Sequence, residues 1–376
     1  MPVFFFLTCN PTFHIVDLPW NPFSSRNNLE GGNGKMGIRQ GKIIAVLILL
    51  VLITSATVGW CASSEVAAFF EGKRMTIIVP VATGTGYDTQ ARMLAPFLEK
   101  HLKVKPAVKN IPGAGQLIGD NELYKSDPDG LTIGYLPVAT IIVSEVGEAP
   151  GRAFEALKFS WIAQAVGEPY ILYGRKDLPT FEQLVAKKTP LIFGSATDFT
   201  AMNADVVTKL FGLPWKIVKG FLGQAEMNAS LIRNEIQVTG GYASTVYPLV
   251  KGGEMKALLV IDDKPWDRYP ELPTLLTLGS SFTRDQLSMA RALVGLDISA
   301  RGIAGPPGIR QERLLFLRAK VNDALNDEKF MKQFEEVGGE KLARLPLDQF
   351  LSLLNGAVNA PPELRAIIKS YFAKTK

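Results

Sequence analysis

From Thr76 to Leu136 the chain alternates strand-forming and helix-forming segments across loops of small residues, a pattern that confines it to α/β architectures. TIIVPVA reads as a strand, TGTGYD as a loop, and DTQARMLAPFLEKHL as an amphipathic helix that follows at once. Gly84 and Gly86 can adopt φ > 0 and let a ligand approach the backbone. Asp88 is placed to cap a helix whose first N–H groups point back at the loop, so the segment predicts an anion cradle. A second turn, NIPGAGQLIG (Asn110 to Gly119), and a DPDG turn (Asp127 to Gly130) lead into another β-rich run, LTIGYL.

TGTGYD admits three readings on its residues. A dinucleotide loop wants a third glycine where Thr89 stands and an acidic residue ending a strand about twenty residues on; a phosphate-binding P-loop wants Lys followed by Ser or Thr. Both patterns are incomplete. An ordinary tight turn with Asp88 as a helix cap competes evenly with ligand binding.

The same grammar returns further on. LIFGSATDFTAMNADVVTKLFG gives strand, small polar loop and amphipathic helix, a repeat of architecture and not of sequence. WKIVKGF, QVTGGYAS and EMKALLVIDD read as strands, with EMNASLIRN a helix among them. The chain is expected to cross to a second lobe at ILYGRKDLPTF, near Tyr173, and to return at ALVGLDISARGIAGPPGI. From Gln311 onward the pattern is helical, and these last helices are expected to fold back on the first lobe. The expected boundaries are 74–172 plus 298–376 for one lobe and 173–297 for the other.

Residues 36–63 read as a secretory leader: Arg39 and Lys42 form a basic region, Ile43 to Val58 an apolar core, and small residues follow, placing cleavage near Ser63 or Ser64. Cys61 raises a lipoprotein reading, which Trp60 disfavours where a small residue is wanted. An uncleaved anchor is the plain alternative. Residues 1–35 lack a hydrophobic period and precede the leader, which points to Met36 as the start. Both cysteines, Cys9 and Cys61, fall in or before the leader, so an exported chain would carry neither disulfides nor thiolate metal sites. Removing residues 1–63 takes away four basic and two acidic side chains, and the net charge falls from +5 to +3. With no basic run interleaved with aromatics, nucleic acid is not expected as a partner, whereas a mildly positive field suits an anionic ligand.

Catalysis finds little support. The exported part keeps one histidine, His101, read as a solvated residue at a helix end, which disfavours a Ser-His-Asp or Cys-His arrangement and a histidine metal cluster. The carboxylate pairs Asp127/Asp129, Asp262/Asp263 and Glu335/Glu336 read as solvated surface. No cofactor and no enzymatic activity are expected.

VPVATGTGYDTQAR, NIPGAG and DPDGLTIGY are followed in order by FGSATDFTAMNADVVTKLFG, KGGEMKALLVIDDKPWDRYPELPTL, AGPPGIRQERLLFLRAKVNDALND and VGGEKLARLPLDQF. Together they resemble the receptors of tripartite tricarboxylate transporters, the Bug-type periplasmic solute-binding proteins, over roughly Met75 to the C-terminus. The resemblance implies a two-lobed α/β venus-flytrap fold of the type II periplasmic-binding-protein class. It implies a monomeric periplasmic receptor for a small organic anion (a di- or tricarboxylate, an aromatic acid or an amino acid) that delivers its ligand to integral-membrane transporter subunits. The alternatives are the same fold as a sensor subunit and, from another class, an α/β enzyme acting on an anionic substrate.

It also implies that the first loop, Thr83, Gly84, Thr85, Gly86, Tyr87 and Asp88, lines the cleft with backbone N–H groups. The chain departs from the family at Thr85 and Tyr87, where glycine and then Thr or Ser are usual; Tyr87 could narrow the pocket or stack on a ring. SATDFT is the matching loop, with Ser195, Ala196, Thr197, Asp198 and Thr200 as candidates. Asp198 could repel a carboxylate or bind an amino group, and a helix cap is the plainer account of this loop. Ala139 and Thr140 near a strand end, and Tyr242 and Ala243 in GGYAST, complete the expected cleft walls by position.

Overall fold

Apolar side chains at both parities along the strands explain why both sheets are covered on both faces. In this computed structural model the residues described are 64–338, 341 and 343–373, all within the unit Val58–Lys376. Residues 36–63, read as a leader, the preceding residues 1–35 and both cysteines lie outside them. The described strands are β1 (Arg74–Val79), β2 (Lys105–Asn110), β3 (Thr132–Pro137), β4 (Ser160–Val166), β5 (Tyr170–Arg175), β6 (Ile192–Ser195), β7 (Lys216–Lys219), β8 (Val238–Tyr242), β9 (Met255–Ile261) and β10 (Arg301–Gly305). Ile77 and Val79 of β1 join one apolar cluster with Leu94 and Leu317, while Ile78 between them joins another with Leu136 and Trp161. Likewise Ile171 and Tyr173 of β5 face one cluster, and Tyr170 and Leu172 the opposite one. Period-two side chains with both parities apolar are what a sheet sandwiched between helix layers demands.

The two sheets share one topology. Strand order is β2-β1-β3-β10-β4 in the first and β7-β6-β8-β5-β9 in the second. In each, three parallel strands are followed by an antiparallel one, β10 or β5. The expected architectural repeat is therefore present. Because β5 lies wholly in the second sheet, the chain crosses between Val166 and Tyr170, earlier than the crossing expected near Tyr173. The return also differs in form: ALVGLDI ends a helix, Arg284–Ile298, and only Arg301–Gly305 is strand.

Helix Gln311–Leu325 packs on helix Gly86–Leu102 and on β4 of the first sheet. The last helix, Pro362–Phe372, instead contacts both Val138–Val146 of the first lobe and Asp198–Phe211 of the second, and Tyr371 donates a hydrogen bond to the Ala201 carbonyl at 3.0 Å. A helix was expected here, but which lobe it covers depends on packing. His101, read as solvated, lies 3.0 Å from Asp327 Oδ2, where Lys100 also pairs at 2.6 Å. Asp129 is likewise engaged, accepting from the Leu131 amide at 2.7 Å within the DPDG turn.

Candidate functional site

Ligands of α/β sheets bind outside the carboxyl ends of parallel strands, where loop amides and helix N-termini converge. The loops after β1, β3, β6 and β8 occupy that position in the two sheets.

After β1 the helix Gly86–Leu102 is capped by Thr85, whose Oγ1 accepts from the Asp88 amide at 3.5 Å. The cap expected at Asp88 is therefore one turn too late. Asp88 lies inside the helix, accepts from the Gly84 amide at 2.8 Å and pairs with Arg92 at 2.9 Å. Burial pushes its carboxyl up, but the bonds from Arg92, the Gly84 amide and Asn110 outweigh it and hold the pKa below the ordinary value. Of the two glycines only Gly84 has positive φ, +83°; Gly86 does not, because it already belongs to the helix. Thr83 is exposed.

After β6 the helix Asp198–Phe211 is capped by Thr197, which accepts from the Thr200 amide at 3.1 Å. Ser195, fully buried, donates to the Thr197 carbonyl at 2.6 Å. Asp198 neither caps nor stands alone: it pairs with Lys219, the last residue of β7, at 2.6 Å. A cavity of about 410 Å³ opens here between the lobes. Its first-lobe wall includes Gln116, Thr140 and Ser144, and its second-lobe wall Ala196, Thr197, Asp198 and Lys219. Phe199 and Phe372 add apolar surface. Gln116 carries φ +84° and a buried Oε1 without a partner, a strained backbone position at the cavity edge. Ala139 and Ala243 are buried in the apolar clusters and line nothing there.

The first loop and Tyr242 do not line this cavity; they gather instead around Arg301. The Arg301 guanidinium lies 4.7 Å from the ring centroid of Tyr87 in the first lobe and 5.2 Å from that of Tyr242 in the second. It forms an ion pair with Glu168, in the segment that crosses between the lobes, and Glu168 Oε2 accepts from the Ser244 amide at 2.7 Å. Tyr242 packs edge-on against Tyr170 at 5.3 Å, and Tyr170 against cavity-lining Phe199 at 5.6 Å, so aromatic rings link the two groups of residues. Burial raises the pKa of the Tyr87, Tyr170 and Tyr242 hydroxyls and keeps them protonated; at Tyr87 the Arg301 charge opposes that rise.

Arg301, Glu168, Lys219 and Gln116 were not among the expected site residues. A signal existed for Arg301: an arginine in DISARGIAG, flanked by small and apolar residues suited to a buried strand, is a buried charge in search of a partner. Two more buried acids were missed. Asp120 and Asp297 are pushed well above the usual carboxylate range by burial, and Asp297 accepts one bond, from Asn203 at 3.3 Å. Asp262, expected in solvent, is partly buried, and its carboxyl is pushed up to about 7 by burial and by its neighbour Asp263. Among the described residues no cluster of three His, Cys, Asp or Glu side chains could hold a metal, and no helix is long and apolar enough to cross a membrane.

Comparison with known proteins sets this geometry in context. The model of the tripartite tricarboxylate transporter family receptor matches residues 90–291. A UPF0065 protein from the TAR-I ttuE-ttuC' intergenic region of Agrobacterium vitis is 30% identical over 239 residues, 60% of this chain and 67% of that protein. BugT of Bordetella pertussis is 22% identical over 309 residues, 80% of this chain and 90% of that one. Among solved structures, MatC from Rhodopseudomonas palustris with bound malate superposes with a TM-score of 0.61 at 19% identity, covering 78% of this chain and 99% of its own.

Proposed function

The chain belongs to the tripartite tricarboxylate transporter receptor family, and on that premise we propose that it captures a small organic carboxylate between its lobes and presents it to the membrane subunits of a tripartite transporter. The observation that carries this reading is the cavity of about 410 Å³ whose walls come from both lobes. A ligand that touches both walls favours the arrangement in which they are close, and that differential affinity drives hinge closure. The membrane partner then distinguishes the closed form by its shape.

Hydroxyls of Thr140, Ser144 and Thr197 and the ammonium of Lys219 supply donors suited to a carboxylate, while Leu117, Val143, Phe199 and Phe372 suit a carbon skeleton. The malate in MatC is consistent with this class of ligand. Residues 36–63, read as a leader, support a periplasmic location. Function as a receptor requires binding and release only, and turnover of the ligand forms no part of this reading.

Calorimetry with malate, adipate, citrate, benzoate and glutamate, each beside its methyl ester, tests the proposal. At least one acid is expected to bind with micromolar or tighter affinity and its ester at least tenfold more weakly. Equal binding of acid and ester, or no binding by any acid, would overturn the carboxylate reading.

A further inference from the structure

A second cavity, of about 340 Å³, lies against β4 and takes two arginines and no carboxylate into its described walls. Helix Gln311–Leu325 supplies Arg318 and Asn322, and the segment that enters helix Leu347–Val358 supplies Arg344. Ile162, Ala163, Leu345, Pro346 and Leu347 add apolar surface. This cavity shares no lining residue with the one between the lobes, and both helices that wall it pack on β4 of the first sheet.

Donors and acceptors do not balance there. A guanidinium has five N–H donors. Arg318 donates through Nε to the Trp161 carbonyl at 3.1 Å, and its two Nη groups meet no acceptor among the described residues. Arg344 donates to the side-chain oxygens of Asn322 at 3.3 Å and Asn326 at 2.5 Å, both neutral. The described acids close by in the chain are engaged or turned to solvent: Asp323 pairs with Lys320 at 3.0 Å, Asp327 with Lys100 at 2.6 Å, and Asp348 is exposed outside the lining. Gln164, also in the wall, is occupied as well. Its Oε1 accepts from the Leu345 amide at 2.7 Å and its Nε2 donates to the Ile298 carbonyl at 2.8 Å. With the bond from the Gly167 amide to the Ala343 carbonyl, at 2.7 Å, this fixes the segment that carries Arg344.

Both guanidiniums are half-buried, and burial lowers the pKa of each. Arginine stays charged under such a shift, so two like charges share a partly desolvated space with neutral partners only. An anion that accepts the free N–H groups in pairs relieves that repulsion.

We propose that this pocket is a second ligand site, for a small organic oxyanion of two or more negative charges, held between the Arg318 and Arg344 guanidiniums with its carbon part against Leu345 and Leu347. Two cations call for more than one negative charge, and the apolar lining calls for a carbon skeleton beside it. Phosphate esters and polycarboxylates share this chemistry. The inference stands apart from the carboxylate reading of the cleft, because no residue of that cavity takes part.

Calorimetry with phenyl phosphate and with citrate tests it, in about 150 mM chloride so that loosely screened surface attraction is suppressed. One of the two is expected to saturate the unaltered protein below about 1 mM, and the tighter of them decides between phosphate and carboxylate. Arg318→Met and Arg344→Met are each expected to weaken that binding about tenfold or more. The double variant Arg318→Lys/Arg344→Lys keeps both charges and loses both planar forks, so an intermediate loss is expected. Lys219→Met, in the cleft, is expected to leave this affinity within about twofold. Inorganic phosphate leaves the apolar lining unused and is expected to bind more weakly than phenyl phosphate; equal binding would overturn the organic class. No saturable binding of either organic anion, or unchanged binding by the folded methionine variants, overturns the site. Should those variants not fold, unchanged binding by the lysine variant overturns it equally. Weakening by Lys219→Met and not by the arginine variants would put the anion in the cleft and overturn it too.

Discussion

Arg301 and Glu168 form an ion pair almost wholly withdrawn from water, at the junction of two lobes that each place a tyrosine against the arginine. Removing one member leaves the other charged and unpaired in a medium that solvates it poorly. Glu168→Ala or Arg301→Ala is therefore expected to cost about 3–5 kcal/mol of stability. Denaturant unfolding of each single variant beside the double Arg301→Met/Glu168→Gln checks this, the double being the more stable of the three.

The two glycines of the first loop should respond differently to alanine. Gly84 sits at φ +83° with open space around it, so Gly84→Ala is opposed by the backbone alone, by about 1–2 kcal/mol. Gly86 has an ordinary helical backbone, and its added methyl would meet Arg301 Nη2 at an easy 3.9 Å. Gly86→Ala is expected to leave stability within about 0.5 kcal/mol or raise it. Thermal melts separate the two, and equal destabilisation would refute the distinction.

Thr85 and Thr197 cap the helices that begin at the two loops. Alanine at either should cost about 0.5–2 kcal/mol, the usual value of a lost cap. Asp88→Ala acts differently, because it strips the Gly84 amide and Arg92 of a shared acceptor. Its folded pKa lies below the ordinary 3.8. The carboxylate's contribution is thus present above pH 3.8 and lost as pH falls through the folded value. The stability gap between Asp88→Ala and the unaltered protein should close in strong acid, as pH-dependent melts would register.

Asp262 carries the opposite sign. It titrates at about 7 in the fold against 3.8 as a free carboxyl, so the folded state holds the extra proton between those values. The stability linked to that proton is full below about 3.8 and falls as pH rises through 7. Asp262→Asn should therefore melt higher than the unaltered protein at pH 8 and close to it at pH 4. With allowance for solvent screening of a partly exposed side chain, the gain at pH 8 is about 1–2 kcal/mol. A variant that melts lower at pH 8 would refute the assignment.

What the sequence determined by itself is local. Strand, loop and helix along TIIVPVATGTGYDTQAR and LIFGSATDFTAMNAD follow from apolar period, small residues and capping hydroxyls, all of which act over a few positions. The repeat of architecture was legible for the same reason. Tertiary structure decided what depends on residues far apart in the chain. Whether Asp198 faces a ligand or Lys219, whether the last helix covers one lobe or both, and where the lobes exchange strands are set by packing across 21 to 170 positions. Arg301 shows the limit most clearly: its charge is readable in DISARGIAG, but its partners come from residues 87, 168 and 242, and only a folded chain brings a tyrosine from each lobe to one buried cation.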